Sequence, residues 1–132
     1  LKGVTAHAGE PEKGINPALA IASIITHFDA IIQPDISKAN YCLITPIYTE
    51  MGKKAYGVSA GAGEVHFTIR SDSNLQMKKV ETNLENLAQA IAKEYQLECN
   101  ITWTESFQAN ENNIEAADHI RNAAKTNNFE LL

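Results

Sequence analysis

The side chains in this sequence that are best suited to chemistry are four histidines, His7, His27, His66 and His119. A catalytic zinc site usually needs three protein ligands, yet none of these histidines belongs to an HExxH or HxD motif. His27 and His119 lie on predicted helices, and we interpret them as surface residues. His7 differs, because it ends a short alternating segment, residues 2–8, directly before a glycine-containing loop. Such a position can present its ring to a ligand or to another domain.

His66 shares one face of a second predicted strand with Glu64 and Arg70. This trio is interpreted either as a polar surface patch or as a small anion site, in preference to a direct catalytic role for His66. The glycines at 57, 61 and 63 form neither a dinucleotide-binding nor a phosphate-binding motif, and no Ser-His-Asp pattern is visible. Taken alone, the residues indicate a soluble α+β domain without an evident catalytic site.

Composition narrows the possible functions further. With 132 residues, 44% of them hydrophobic, the sequence predicts one globular domain. A net charge of -5 with scattered Lys and Arg argues against a nucleic-acid partner. No apolar run is long enough for a membrane span, and nothing at Leu1 resembles a signal peptide. Cys42 and Cys99 lack a CxxC motif, so we expect reduced thiols and a cytoplasmic location.

The apolar pattern predicts the elements that must position these residues. Pro46 requires an edge or a bulge in its strand, and Ser73 with Gln76 fits a helix-capping box. The predicted order is strand 2–8, helix 17–32, strand 40–50, strand 64–70, a long helix beginning at Ser73, and strand 99–107. This order predicts an α+β, ferredoxin-like βαββαβ fold, with a four-stranded antiparallel sheet and both helices on one face.

The same pattern assigns side chains to faces. In strand 64–70 the core face carries Val65, Phe67 and Ile69. Val4, Ala6 and Ala8 share one face of the first strand, and Ile101, Trp103 and Phe107 share one side of the last strand. A polar linker at 108–112 leads to a third helix, 113–126, with little apolar surface. The final residues 129–132 read as the start of another strand.

The opening segment Gly3-Val-Thr-Ala-His7-Ala-Gly-Glu-Pro11-Glu-Lys-Gly14-Ile-Asn16-Pro-Ala resembles a signature of the zinc peptidase and aminoacylase family. That family includes aminoacylases, acetylornithine deacetylase and glutamate carboxypeptidases. Its dimerisation (lid) domain opens with Gly-x-x-x-His-x-(Gly/Ala)-x-Pro-x-x-Gly, and Phe67-Thr-Ile-Arg70 looks like its Arg-ending strand. The resemblance covers about residues 1–109, and 110–132 would be the return segment into an absent catalytic domain.

The resemblance implies the dimerisation and active-site-completing domain of a metal-dependent amidohydrolase or peptidase that hydrolyses N-acyl amino acids or short peptides. His7 matches the family histidine that contacts the substrate carbonyl or its oxyanion in the partner subunit. Arg70 matches an arginine that serves either the substrate carboxylate or the structure of the lid. Gly57-Val-Ser-Ala60 stands where the family often has Asn-(Val/Ile)-x-Pro, so the family's Asn contact is not carried over.

The same resemblance implies that zinc, or another divalent metal, lies in the absent catalytic domain. This chain alone would hold no metal and would be inactive. A homodimer is expected through edge strand 40–50 and helix 17–32, with Leu43, Thr45 and Ile47 near the two-fold axis.

Two alternatives remain open: a ferredoxin-like module that binds a small ligand, and a pure oligomerisation module, each without a hydrolytic parent. The flanking gene sequence distinguishes them, because the lid interpretation requires an upstream His-x-Asp and Glu-Glu segment and a downstream His.

Overall fold

The structure, a computed structural model, describes residues 1–129 and has the predicted α+β class. Its only continuous ladder within those residues joins two antiparallel strands, so the predicted four-stranded sheet is not confirmed. Two short 3-10 helices, Pro11–Lys13 and Phe28–Ile31, accompany the main elements. The main elements in chain order are α1 (Ala18–His27), β1 (Cys42–Met51), β2 (Gly63–Ser71), α2 (Asn74–Glu94) and α3 (Ile114–Thr126).

The segment predicted as the first strand, residues 2–8, pairs with its neighbours only at isolated bridges. Lys2 bridges Ala62 on one side and Glu98 on the other. The ladder breaks further along because the Ala6 N–H donates to the Ser59 hydroxyl, over 3.1 Å, and not to a backbone carbonyl. Val4 and Ala8, which are predicted to share a face with Ala6, are both exposed.

The strand predicted at 99–107 does not form, because the chain leaves the sheet after Glu98. The Trp103 Nε1–H donates to Glu85 Oε1 over 2.7 Å, and the Ala109 N–H donates to Asn74 Oδ1 over 2.8 Å. Both acceptors belong to α2, and the later residue of the segment bonds to the earlier residue of the helix. Residues 103–109 therefore run antiparallel to α2. The side chains predicted to share one side of that strand are exposed: Ile101, Trp103 and Phe107.

β1 contains the irregularity that Pro46 predicts. Pro46 lies opposite Phe67 and Tyr48 lies opposite His66, which leaves Ile47 as an extra residue in a bulge. Along β2 the burial alternates as predicted, with Val65, Phe67 and Ile69 on the inner face.

The helices follow their sequence signals with small shifts at the ends. The predicted helix 17–32 is an α-helix only to His27 and then tightens into the Phe28–Ile31 turn. At the start of α2, Ser73 Oγ accepts the Gln76 N–H over 3.2 Å, as predicted. The reciprocal bond of a capping box, from the Ser73 N–H to the Gln76 side-chain oxygen, does not form, and the Gln76 Nε2–H donates to the Asn40 carbonyl.

The core lies between the inner sheet face and the helices α1 and α2. Phe28 and Phe67 meet edge to face, with ring centroids 5.2 Å apart. One cluster contains Ala20, Ile24, Ile91, Ala92 and Leu97. A second contains Phe28, Cys42, Ile44, Val80 and Leu84. α3 is capped by Asn113 as a helix but contributes no buried residue. Of the strand start predicted at 129–132, residues 130–132 lie outside the described part.

Candidate functional site

His7 lies at the outer end of the first segment, in a turn that fixes its ring. The Glu10 N–H donates to the His7 carbonyl over 2.9 Å, and the Gly9 N–H donates to His7 Nδ1 over 3.1 Å. A neutral imidazole has one donor and one acceptor nitrogen. Because Nδ1 accepts, the neutral ring carries its proton on Nε2. The exposed side chain of His7 is therefore an N–H donor available to a group outside this chain.

Gly9 is a positioning residue that the sequence analysis did not single out. A Cβ at this position would lie 3.2 Å from His7 Nδ1 and 3.3 Å from Cε1, so a larger residue would press on the ring. The signal was the spacing itself: a glycine two residues after a histidine leaves room for the ring to accept the glycine N–H.

The hairpin loop between β1 and β2 holds the His7 turn in place. The Ala8 N–H donates to the Gly57 carbonyl over 2.9 Å, and the Ser59 N–H donates to the Ala6 carbonyl over 2.8 Å. His7 thus lies between two hydrogen bonds to one loop. The first segment and this loop approach so closely that only glycine fits at position 61. A Cβ on Gly61 would lie 2.6 Å from the Thr5 backbone nitrogen.

An open depression of about 1040 Å³ adjoins this loop, with Thr5, Val58 and Ser59 among its lining residues. Enclosed ligand sites in proteins bury most of their ligand within about 300–1,000 Å³. A depression this broad and open needs a second surface to enclose a small molecule.

Arg70 lies far from His7 in the same chain. It is exposed near the end of β2 and pairs with Leu43. A strand rises about 3.3 Å per residue, so Gly63 and Arg70 are roughly 23 Å apart. His7 lies beyond Gly63, because it bridges Val58. The two predicted site residues therefore occupy opposite ends of the hairpin.

The predicted patch of Glu64, His66 and Arg70 is only partly assembled. His66 Nε2 lies 3.4 Å from Glu64 Oε1, and the Tyr48 ring packs edge-on against the His66 ring. The Tyr48 hydroxyl donates to the Glu50 carboxylate, and this hydrogen bond raises the pKa of Tyr48 above its ordinary value. Arg70 lies four residues along the strand, which is roughly 13 Å from His66. The patch thus resembles a surface network more than an anion site.

No other group of side chains in the described residues suggests catalysis. Across residues 1–129, no three His, Cys, Asp or Glu side chains are grouped so that they could hold a metal ion. Cys42 and Cys99 are free thiols, and burial raises the pKa of both, which lowers their nucleophilicity. His27 and His119 are exposed, as predicted. The same residues contain no helix with the length and apolarity that a bilayer crossing requires.

The outer edge of β1 carries the residues predicted for a dimer interface. Leu43 is half-buried, Thr45 is exposed and Ile47 is 62% exposed. Cys42 exchanges both of its backbone hydrogen bonds with Gln33, on the side away from β2. Because bonding direction alternates along an antiparallel strand, Ile44 also turns its backbone groups to this outer side.

Residues 1–96 match the family model of the peptidase dimerisation domain. The chain is similar to N-acetylcysteine deacetylase of Bacillus subtilis, with 23% identity over 103 residues that make up 78% of this chain and 27% of that protein.

Two solved structures have a similar fold. A protein described as an aminohydrolase, from methicillin-resistant Staphylococcus aureus, has a TM-score of 0.79 at 16% identity, over 95% of this chain and 33% of that one. The aminopeptidase PepT of Bacillus cereus has a TM-score of 0.72 at 18% identity, over 99% of this chain and 34% of that one. The chain spans about a quarter to a third of the length of these relatives. Because the family match covers most of its residues, the chain belongs to the peptidase dimerisation domain family.

Proposed function

We propose that this chain is the dimerisation and active-site-completing domain of a homodimeric, metal-dependent amidohydrolase or peptidase. The observation that carries the proposal is the exposed His7 ring, whose Nδ1 is occupied by Gly9 and whose Nε2–H is free to donate. A fixed donor of this kind stabilises the negative charge that develops on a carbonyl oxygen during acyl transfer. The proposed substrates are N-acyl amino acids or short peptides, and relatives named as a deacetylase and an aminopeptidase support that class.

A dimer through β1 would bring His7 of one subunit and Arg70 of the other to the same end of the joined sheet. Suppose that two copies of β1 pair antiparallel about a two-fold axis near Ile47. The Cys42 end of one strand then lies beside the Met51 end of the other. Arg70 marks the Cys42 end, and the hairpin loop with His7 marks the Met51 end. Arg70 of one copy therefore comes to the same end of the joined sheet as His7 of the partner subunit.

The edge of β1 suits such pairing but limits it. Ile44 has outward backbone groups, whereas Pro46 has no N–H to donate. Exposed apolar side chains on and near the edge would be covered, namely Ile47, Tyr48 and Met51. We propose that the outer side of α1 adds to the same contact, because Leu19 is 68% exposed there. Beyond Cys42, whose outer backbone groups already bond to Gln33, a partly apolar strand edge of this kind is a typical site for association with a second copy.

We propose that the rest of the active site lies in a catalytic domain of the full-length parent. We propose that residues 1–109 form the lid and that 110–132 return into the catalytic domain. Zinc and its ligands, with the general base, are proposed to belong to that domain. The open depression beside Ser59 would be closed by the same domain. We also propose a cytoplasmic location, because free cysteines are typical of reducing compartments.

The experiment is His7→Ala in the full-length parent, loaded with zinc and assayed on N-acetyl amino acids. Loss of a single oxyanion donor typically lowers kcat by about 10²–10³-fold, so kcat should fall by that order while KM changes less. His27→Ala is the matched control, because it removes another exposed histidine, at the end of α1. Unchanged kcat/KM in His7→Ala, with a normal melting temperature, would contradict the proposal.

The gene itself offers a second check. The lid interpretation requires an upstream His-x-Asp and Glu-Glu segment and a downstream His in the same reading frame. A different neighbouring domain would favour the ligand-binding or oligomerisation module instead.

A further inference from the structure

The tip of the hairpin loop, residues 52–58, is held in one place beside the His7 turn. Gly52 has a φ of +62, and a Cβ there would lie 2.9 Å from the Ala60 Cβ, so this turn requires glycine. Within the loop, the Val58 N–H donates to the Ala55 carbonyl over 3.2 Å. The Ala8 N–H bond to the Gly57 carbonyl joins the loop tip to the His7 turn. The loop tip and the turn therefore behave as one structural unit.

Tyr56 is the side chain that this unit displays. It is 89% exposed. Tyr56 precedes Gly57 and His7 precedes Ala8, and the Ala8 N–H donates to the Gly57 carbonyl. Single exposed apolar residues are common and need no explanation by themselves. Tyr56, however, lies on a loop whose backbone is joined to the turn of an exposed histidine, since Ala8 bonds to Gly57 and His7 bridges Val58.

The space around Gly57 supports a role in ligand contact. A Cβ on Gly57 would meet no atom within 4 Å, and its φ is not among the positive ones, so the fold does not require glycine there. Gly57 leaves open space between Tyr56 and Val58, which is itself 50% exposed. Tyr56 and Val58 thus expose apolar surface on the loop whose backbone pairs with the His7 turn.

We propose that Tyr56 is a specificity-determining residue that contacts the apolar group flanking the amide carbonyl held by His7. This inference rests on the proposed function and narrows its substrate class to N-acyl amino acids or peptides with a large apolar or aromatic side chain. A tyrosine ring offers a broad, rigid face for such a group at little cost in conformational entropy. Because Tyr56 and His7 belong to one unit, both act in the active site of the partner subunit.

The experiment compares three probes with the zinc-loaded, full-length parent: N-acetylglycine, N-acetylleucine and N-acetylphenylalanine. Tyr56→Ala should lower kcat/KM by about fivefold for N-acetylphenylalanine, the order expected of one aromatic contact, and should leave N-acetylglycine within twofold. Tyr56→Phe should keep the wild-type order of preference. Leu75→Ala is the control, because it removes a comparably exposed apolar side chain, 71% exposed, from α2.

The outcomes separate this inference from the function on which it rests. Equal effects of Tyr56→Ala on all three probes, or none, would overturn the role of Tyr56, while a large loss in His7→Ala would keep the proposed function intact. If the parent hydrolyses none of the probes and also no short peptide, the proposed function fails and this inference fails with it.

Discussion

Residues 1–98 and residues 100–129 differ sharply in the burial of their apolar side chains. Every buried residue of the described chain lies between Pro17 and Leu97. From residue 100 onward no residue is buried, although large apolar side chains continue to occur, among them Trp103, Phe107, Ile114 and Ile120. The first region encloses its own core. The second leaves its large apolar side chains exposed, and the family match likewise ends at residue 96.

The largest expected contrast comes from truncating one isoleucine in each region. Ile91 is 6% exposed in the core, whereas Ile120 is 71% exposed on α3. Ile91→Ala should lower the free energy of unfolding by about 2–5 kcal/mol, since burial is lost and a cavity remains. Ile120→Ala should change it by less than about 0.5 kcal/mol. Urea denaturation of this 132-residue chain measures both values.

The full-length parent sharpens that contrast. If α3 packs against the catalytic domain there, Ile120→Ala should destabilise the parent although it leaves this chain unaffected. Equal and negligible effects of Ile120→Ala in both proteins would show that α3 stays uncovered and that 110–132 is not a return segment.

A smaller contrast is expected from the two helix caps. Ser73 caps α2 and Asn113 caps α3, and each side chain accepts the N–H of the residue three positions along. Ser73→Ala should lower the free energy of unfolding by about 1 kcal/mol, because α2 contributes four buried residues to the core. Asn113→Ala should leave the cooperative transition in place, since α3 contributes no buried residue. Thermal unfolding followed by circular dichroism measures both, and an equal loss would show that α3 folds as part of the same core.

The sequence was most informative where local pattern and burial agree. The core faces of β2 and α2 follow from periods of two and about 3.6 residues, and Ser73 and Pro46 mark a cap and a bulge by their own chemistry. The pattern failed at 2–8 and 99–107, because alternation cannot reveal which backbone groups find partners. The Ser59 hydroxyl interrupts the first segment, and Glu85 on α2 holds Trp103 away from the sheet.

The candidate site divides in the same way. The residue type and spacing of His7 could be read from the motif, as could the match of Arg70. Their separation along the hairpin could not, because it depends on the register between the first segment and the loop at 57–63. The exposure of Tyr56 follows from how that loop folds, so no sequence pattern indicated it.

The central claim, that this domain places His7 in the active site of its partner, is tested most directly by mixing two inactive variants of the parent. One carries His7→Ala, and the other carries an intact lid with a disabled metal site in the catalytic domain. After the subunits are unfolded and reassembled together, random pairing in a two-fold dimer should restore about a quarter of the wild-type activity. Each mixed dimer then combines the intact metal site of one subunit with His7 of the partner subunit. No recovery, with mixed dimers shown to form, would contradict the account, because it would mean that His7 serves its own subunit or none.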